Sequence, residues 1–269
     1  MPTWIAALVL VLVVTAAITV KLLMRRRAPM GGWFTDPPRG AVTLSVIGTM
    51  FAVVLAFLIL LALQSFQRAK EGSAVEAIAV TELDSVAEVF DSPASDRLRG
   101  DLVCYGRAVI EDEWPAMKKE RSSELVQSWI DKMGRESAIV EPRGARQETA
   151  YKRWFDEQAL RRDGRRERLA EATSFVPLPL RFVLGLGASL SIVYMCAQAD
   201  RREGVLIQSI PIGFVTALVT AGLLVVFFLD HPYANENGSI QPTEMRRTLT
   251  LIDHGSATPC DERGILRPT

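Results

Sequence analysis

The stretch Ala41–Leu63, AVTLSVIGTMFAVVLAFLILLAL, runs 23 residues without a charge, and its reading decides the fold. A bilayer hydrocarbon core of about 30 Å needs about 20 helical residues at about 1.5 Å each, so the stretch is long enough to cross. The helical pattern does not stop there. Phe66, Ala69, Val75, Ile78, Ala79, Leu83, Val86 and Phe90 follow at spacings of three and four, drawing one apolar stripe. No proline interrupts residues 41–92. The pattern predicts one helix of about 50 residues, about 75 Å long, rooted in the membrane and continuing beyond it. Gly72 is its weak point. Ser92-Pro93 reads as its stop, with Ser92 the N-cap of the next helix and Pro93 in the first turn.

Three more apolar runs flank this one. Trp4–Leu23 has no charge before Lys21, Leu178–Ala197 is broken only by Arg181, and Val205–Leu229 is 25 residues with no charge. Arg181 is expected to snorkel to the interface. The chain has 269 residues, 31 Lys+Arg against 31 Asp+Glu, and most of its charge lies between the second and third runs. That distribution excludes one ordinary soluble globule and excludes disorder, and zero net charge argues against a nucleic-acid partner. The fold predicted is all-α: four transmembrane helices, a helical extramembrane domain between helices 2 and 3, and helix 2 extending out of the membrane. The expected divisions are 1–66 with a basic loop at 24–40, the helical domain at 67–176, the second helix pair at 177–230, and a polar tail at 231–269. The last 20 residues read as frayed.

Sidedness follows from loop charge. Lys21, Arg25, Arg26, Arg27, Arg39, Arg201 and Arg202 border the two short loops, seven cations against eight near the helical domain. The first helix usually dominates, which points its downstream end to the cytosol. The N-terminus and the helical domain are then extracytoplasmic, in a multi-pass inner-membrane protein. Cationic residues follow the first run rather than precede it, which reads as a retained helix and not a cleaved signal peptide. Cys104, Cys196 and Cys260 read as three unrelated small residues, although an outside placement permits a Cys104–Cys260 disulfide.

The middle region, 67–176, carries 19 basic and 22 acidic residues. In 96–114, Leu102, Val103, Tyr105, Val109, Ile110 and Trp114 share one half of a helical wheel, and Glu113 falls inside that arc. A carboxylate on a packed face must be paired, neutralised or functional. The local alternative, which is preferred, starts a new helix at Pro115 with Asp112 or Glu113 complementing its dipole. A third helical piece is expected at Glu124–Met133, ended by Gly134. A fourth is expected from Ala145 to Ala172, with Tyr151, Trp154, Phe155 and Leu169 inward. Arg161, Arg162, Arg165, Arg166 and Arg168 could hold a lipid phosphate or another anion. A solvated helix face is the commoner reading of such a run.

Several segments together resemble a known family. They are Gly48-Thr49-Met50-Phe51-Ala52-Val53-Val54-Leu55-Ala56-Phe57-Leu58-Ile59, Ala69-Lys70-Glu71, Val75-Glu76-Ala77, Tyr105, Val109, Glu113-Trp114-Pro115-Ala116-Met117, Arg165, Arg168-Leu169, Pro177, Leu229-Asp230-His231-Pro232-Tyr233 and Gly238-Ser239-Ile240. Across residues 40–250 the chain resembles the bestrophin-like family of bacterial membrane proteins. Glu113, Trp114, Pro115, Asp230 and Pro232 are the family-motif residues. The family's name points to bestrophins, pentameric anion channels with four membrane helices per subunit. That implies a homo-oligomer in a lipid bilayer with a small ion as its partner.

Catalytic signatures are missing from the sequence: it has no glycine-rich phosphate loop, no His-Glu-x-x-His, no Cys-x-x-Cys and no Gly-x-Ser-x-Gly. No enzyme, cofactor or metal is expected. Asp230, His231 and Glu236 lack ligand spacing, and Asp-His-Pro-Tyr reads as a helix exit. The membrane helices carry stripes of small residues instead: Ser45, Gly48, Thr49, Ala52 and Ala56 in the second, extended by Gln67, and Gly213, Thr216, Ala217 and Thr220 in the fourth. Such stripes pack helices together or line a narrow wet pore, and packing is the commoner use. Two functions remain open: an oligomeric ion channel, or a non-conducting sensor or scaffold whose helical domain binds a protein or lipid.

Overall fold

A computed structural model describes residues 3–29, 37–234, 237–253 and 258–267. In chain order the helices are α1 Thr3–Arg27, α2 Pro37–Ala87, α3 Ala94–Ala108, α4 Trp114–Met117, α5 Glu124–Ala138, α6 Gly144–Ala170, α7 Leu178–Ala197, α8 Val205–Leu229 and α9 Thr243–Ile252. A π turn, Val109–Glu113, joins α3 to α4. Among the described residues there is no strand, only an isolated bridge between Cys260 and Leu266. The chain divides into two compact units, Met1–Ser65 with Ser174–Asp230, and Phe66–Thr173 with His231–Thr269. The protein is therefore all-α, and α2 runs as one 51-residue helix from the apolar unit into the polar one.

The apolar unit holds the helices long and apolar enough to cross a membrane: α1, the first part of α2, α7 and α8. Leu8, Val11, Val46, Met50, Val53, Phe57, Phe182, Phe214 and Leu218 are exposed, as lipid-facing side chains are. Two small cores hold the helices together. Ala17, Cys196 and Ile212 join α1, α7 and α8, while Leu58, Leu184, Val226 and Val176 join α2 to α7 and α8. Glycines set the approach of α2, because a Cβ at Gly187 would lie 2.9 Å from Phe51 and one at Gly222 would lie 2.8 Å from Leu55.

The polar unit surrounds a larger core built from α3, α5, α6, α9 and the second part of α2. Here α2 and α6 cross backbone to backbone. A Cβ at Gly72 would lie 2.9 Å from Gly164 O, and one at Gly164 would lie 2.6 Å from Glu76 N.

Several expectations need correction. Ser92 does not cap α3: Pro93 occupies the N-cap position, and the Ser92 hydroxyl donates to Asp96 Oδ2 at 2.6 Å. Gly134 does not end α5, which continues to Ala138. Phe155 faces outward on α6, while Trp154 is fully buried. Most of the tail's described part is tied down. Cys260 is disulfide-bonded to Cys104, Gly264 O accepts from Trp129 Nε1 at 2.7 Å, and Arg107 grips Asp253 and Asp261 O. Gly264 has φ of 75° and packs so closely on α3 that a Cβ would lie 2.6 Å from Ala108 N. His254 and Glu236 lie outside the described residues.

Candidate functional site

The small-residue stripes of the two membrane helices have different surroundings. On α8, Thr216 and Thr220 are buried, and Gly213 sits against α1, its missing Cβ 3.4 Å from Ile18. That stripe packs helices. On α2 the packed face is Phe51, Leu55, Leu58 and Ile59. At about 100° per residue this face is centred about 90° around the helix from the stripe. Ser45, Thr49, Ala52 and Ala56 are exposed, and nothing lies within 4 Å of a Cβ built on Gly48. Thr49 satisfies its own hydroxyl by donating to Ser45 O at 2.7 Å. Gln67, which prolongs the stripe into the polar unit, is exposed as well.

At the membrane end of α8, Asp230 is a knot rather than a ligand. Its carboxylate accepts from Phe175 N at 2.9 Å, Val176 N at 3.2 Å, Ser174 Oγ at 2.6 Å and Arg181 Nη2 at 2.9 Å. It ties the start of α7 to the end of α8 and gives the partly exposed Arg181 an ion-pair partner. Among the described residues no group of three or more His, Cys, Asp or Glu side chains could hold a metal.

The polar unit contains a buried ionic cluster. Glu113 does fall on the packed face, and it is 0% exposed. A short helix, α4, does start here, with Glu113 at its N-cap position and Pro115 in its first turn, but it is not set apart from α3. Instead α3 widens into the π turn, where Trp114 N–H bonds back to Val109 O, and the chain continues into α4. Such a bulge re-aims side chains within a helix. Here it brings Glu113 against α6. Arg168 Nη2 lies 2.5 Å from Glu113 Oε2, while Arg168 Nε and Nη2 lie 2.6 and 3.0 Å from Glu76 on α2. Arg165 Nη2 lies 2.6 Å from Glu113 Oε1, and Ser123 N donates to the same oxygen at 3.3 Å. Tyr105 donates to Glu76 Oε1 at 2.5 Å. The Arg168 guanidinium also stacks over Trp114, 5.1 Å from the ring centroid. Two carboxylates thus face two guanidiniums, and the cluster is neutral.

Burial opposes ionisation of Glu113, but Arg168 and then Arg165 outweigh it and hold the carboxyl below the usual carboxylate range. Burial likewise opposes the charge on Arg168, yet Glu76 and Glu113 raise its pKa. Tyr105 is pushed up by burial and by Glu76, so it remains a donor. The motif residues around the cluster pack as its walls. Trp114 meets Tyr233 edge-on at 5.4 Å and donates to Ile240 O at 3.2 Å, while Pro232 O accepts from Ile240 N at 2.8 Å. Pro115 itself is exposed.

The five arginines of α6 therefore divide. Arg168 is fully buried, Arg161 is stacked on Tyr105 at 4.9 Å, and Arg165 is occupied by Glu113. Arg162 and Arg166 are exposed. The run is not one solvated face. Its signal was present in the spacing: Trp154, Arg161 and Arg168 recur every seven residues and so share a helix face. Glu76 likewise sits among the apolar positions of α2, between Ala69 and Leu83.

A family profile described as a Bestrophin-like domain matches residues 4–244. The chain belongs to the bestrophin-like family. Solved structures share the fold of this family member. A membrane protein variant is similar with a TM-score of 0.70 at 13% identity, covering 93% of this chain and 99% of that one. A point variant of a bacterial bestrophin homologue from Klebsiella pneumoniae has a TM-score of 0.69 at 13% identity, covering 90% of this chain and 98% of its own. A second variant of that homologue has a TM-score of 0.69 at 12% identity, covering 91% and 99%. At such identities the likeness is one of fold. No curated protein matches the sequence.

Proposed function

We propose that this bestrophin-like protein is a homo-oligomeric ion channel of the inner membrane, with the small-residue face of α2 turned toward the symmetry axis. One observation carries the reading. Ser45, Gly48, Thr49, Ala52 and Ala56 form a mildly polar stripe that the chain's own helices leave uncovered, whereas the comparable stripe on α8 is used internally. Hydroxyls and small side chains facing lipid gain nothing, while around an axis they leave room for a narrow hydrated path. Glu113 and Asp230, the buried carboxylates at family-motif positions, already have their oxygens bonded to arginines, backbone N–H groups and a hydroxyl.

The test is ion flux from liposomes containing purified protein, with anion and cation dyes run separately. Thr49→Val should reduce the flux and Ala56→Trp should abolish it, while the oligomer stays intact by size-exclusion chromatography. A well-folded ring that passes no ion at any voltage or pH leaves the scaffold reading.

The same reading places the polar unit on the extracytoplasmic side. Its support is the Cys104–Cys260 disulfide, since such bonds persist in oxidising compartments. Ser122 is exposed, so Ser122→Cys should react with a membrane-impermeant maleimide applied to intact cells. Labelling only after lysis reverses the orientation.

A further inference from the structure

A groove of about 530 Å³ opens between α5 and α6, lined by Gln127, Ile130, Arg162, Arg165, Arg166 and Leu169, with Ala170 at its edge. Its chemistry is uneven. Three guanidiniums of one helix face border it, its floor is apolar, and no carboxylate is among its lining residues. The residues at 162, 165, 166 and 169 are neighbours on the helix because they are three and four apart.

The three arginines are differently placed. Arg165 is fixed at the back of the groove, its Nε and Nη2 on Glu113 and its Nη1 on Gln127 Oε1 at 3.1 Å. Its charge is already matched. Arg162 has no ion-pair or hydrogen-bond partner among the described residues. Arg166 has only Asp163, 3.9 Å away on a pair that is 81% and 66% exposed. Two like charges four residues apart repel, and the long, exposed pair with Asp163 offsets that only weakly. A groove of this make-up is electrostatically incomplete, while its base is rigidly held.

We propose that this groove binds a phosphate-type oxyanion through Arg162 and Arg166, with Ile130 and Leu169 receiving any apolar part of the same molecule. Arginine suits that ligand because its planar fork donates two parallel hydrogen bonds to adjacent oxygens. Arg165 acts as the positioning residue. Its tie to Glu113 keeps the middle of the face in register without itself being released. The chemistry is shared by a free phosphate and by the headgroup of an anionic lipid. The apolar floor distinguishes the two, since only the lipid would use it. The inference is independent of conduction, because the groove lies wholly within the polar unit.

Purified full-length protein in a zwitterionic detergent is titrated with inorganic phosphate and, separately, with dihexanoyl phosphatidic acid, and heats of binding are recorded. Saturable binding of either probe is expected, weakening as sodium chloride is raised. The double variant Arg162→Gln/Arg166→Gln should lower the affinity on the order of tenfold or more. Both side chains are exposed, so the variant's Tm should match that of the unaltered protein. Binding of the phosphatidic acid alone, weakened by Leu169→Asn, assigns the groove to a lipid headgroup. Binding of inorganic phosphate with equal affinity assigns it to the free anion. No saturable binding of either probe, or binding that the double variant leaves unchanged, overturns the proposal.

Discussion

Arg168 Nη2 and Glu113 Oε2 lie 2.5 Å apart with both side chains fully buried, although the residues are 55 positions apart in the chain. Glu76 binds the other edge of the same guanidinium from α2. Three elements meet on this one cation: α2, the π turn and α6. The ion pair's net worth is small, because two charges were removed from water to make it. Breaking it is another matter.

Arg168→Leu should destabilise the protein by about 3–5 kcal/mol, since it leaves Glu76 buried without its guanidinium and Glu113 with Arg165 alone. The measurement is a denaturant or thermal midpoint in detergent. Arg166→Leu, on the exposed side of the same helix, should change the stability by less than about 0.5 kcal/mol. Equal effects would remove the cluster from this account.

Acid should act through Glu113. Its folded pKa is lowered, so it contributes stability that is fully present above its unfolded pKa of about 4.3 and is lost as pH falls through the lower folded value. The midpoint should be flat from pH 7 to about pH 5 and fall below about pH 4. Glu113→Gln should start lower and fall less steeply on the acid side.

Two glycine replacements should have opposite signs. Gly164→Ala puts a Cβ 2.6 Å from Glu76 N and 2.8 Å from Gly72 O, backbone atoms that cannot step aside. It should cost about 1–3 kcal/mol and loosen the α2–α6 crossing. Gly134→Ala meets nothing within 4 Å inside α5 and should stabilise by about 0.5–1 kcal/mol.

Reduction of the Cys104–Cys260 bond should lower the stability by about 2–5 kcal/mol, because the bond closes a loop across 156 positions. Both sulfurs are buried, so the effect should require a denaturant or a long incubation. Cys104→Ser should mimic it. Cys196→Ser, remote from the disulfide, should not.

Part of the candidate site could be read from the chain and part could not. Glu113 was legible as a carboxylate on an apolar arc, since a wheel needs only local spacing. Its partners were not. The arginine run looked like a solvated face because five cations in eight residues resemble surface composition, and the period of seven joining Trp154, Arg161 and Arg168 is a quieter signal than the charge. Pro115 did mark a helix start, but not the π turn that joins α4 to α3 and turns Glu113 inward, because that turn is set by packing rather than by local spacing. The tail looked frayed because glycines and prolines are spread along it, and its order comes from a disulfide and from bonds to Trp129 and Arg107 that no local pattern encodes.

The four apolar spans, the continuity of α2 and the all-helical character followed from the sequence, because hydrophobic length and a period of 3.6 are properties of neighbours along the chain. Which stripe was used inside the molecule, which arginines turned inward and which cysteines paired depended on residues 52 to 195 positions apart. Those pairings form only when glycines bring two backbones close enough for side chains to meet, and that closeness is a property of the folded arrangement alone.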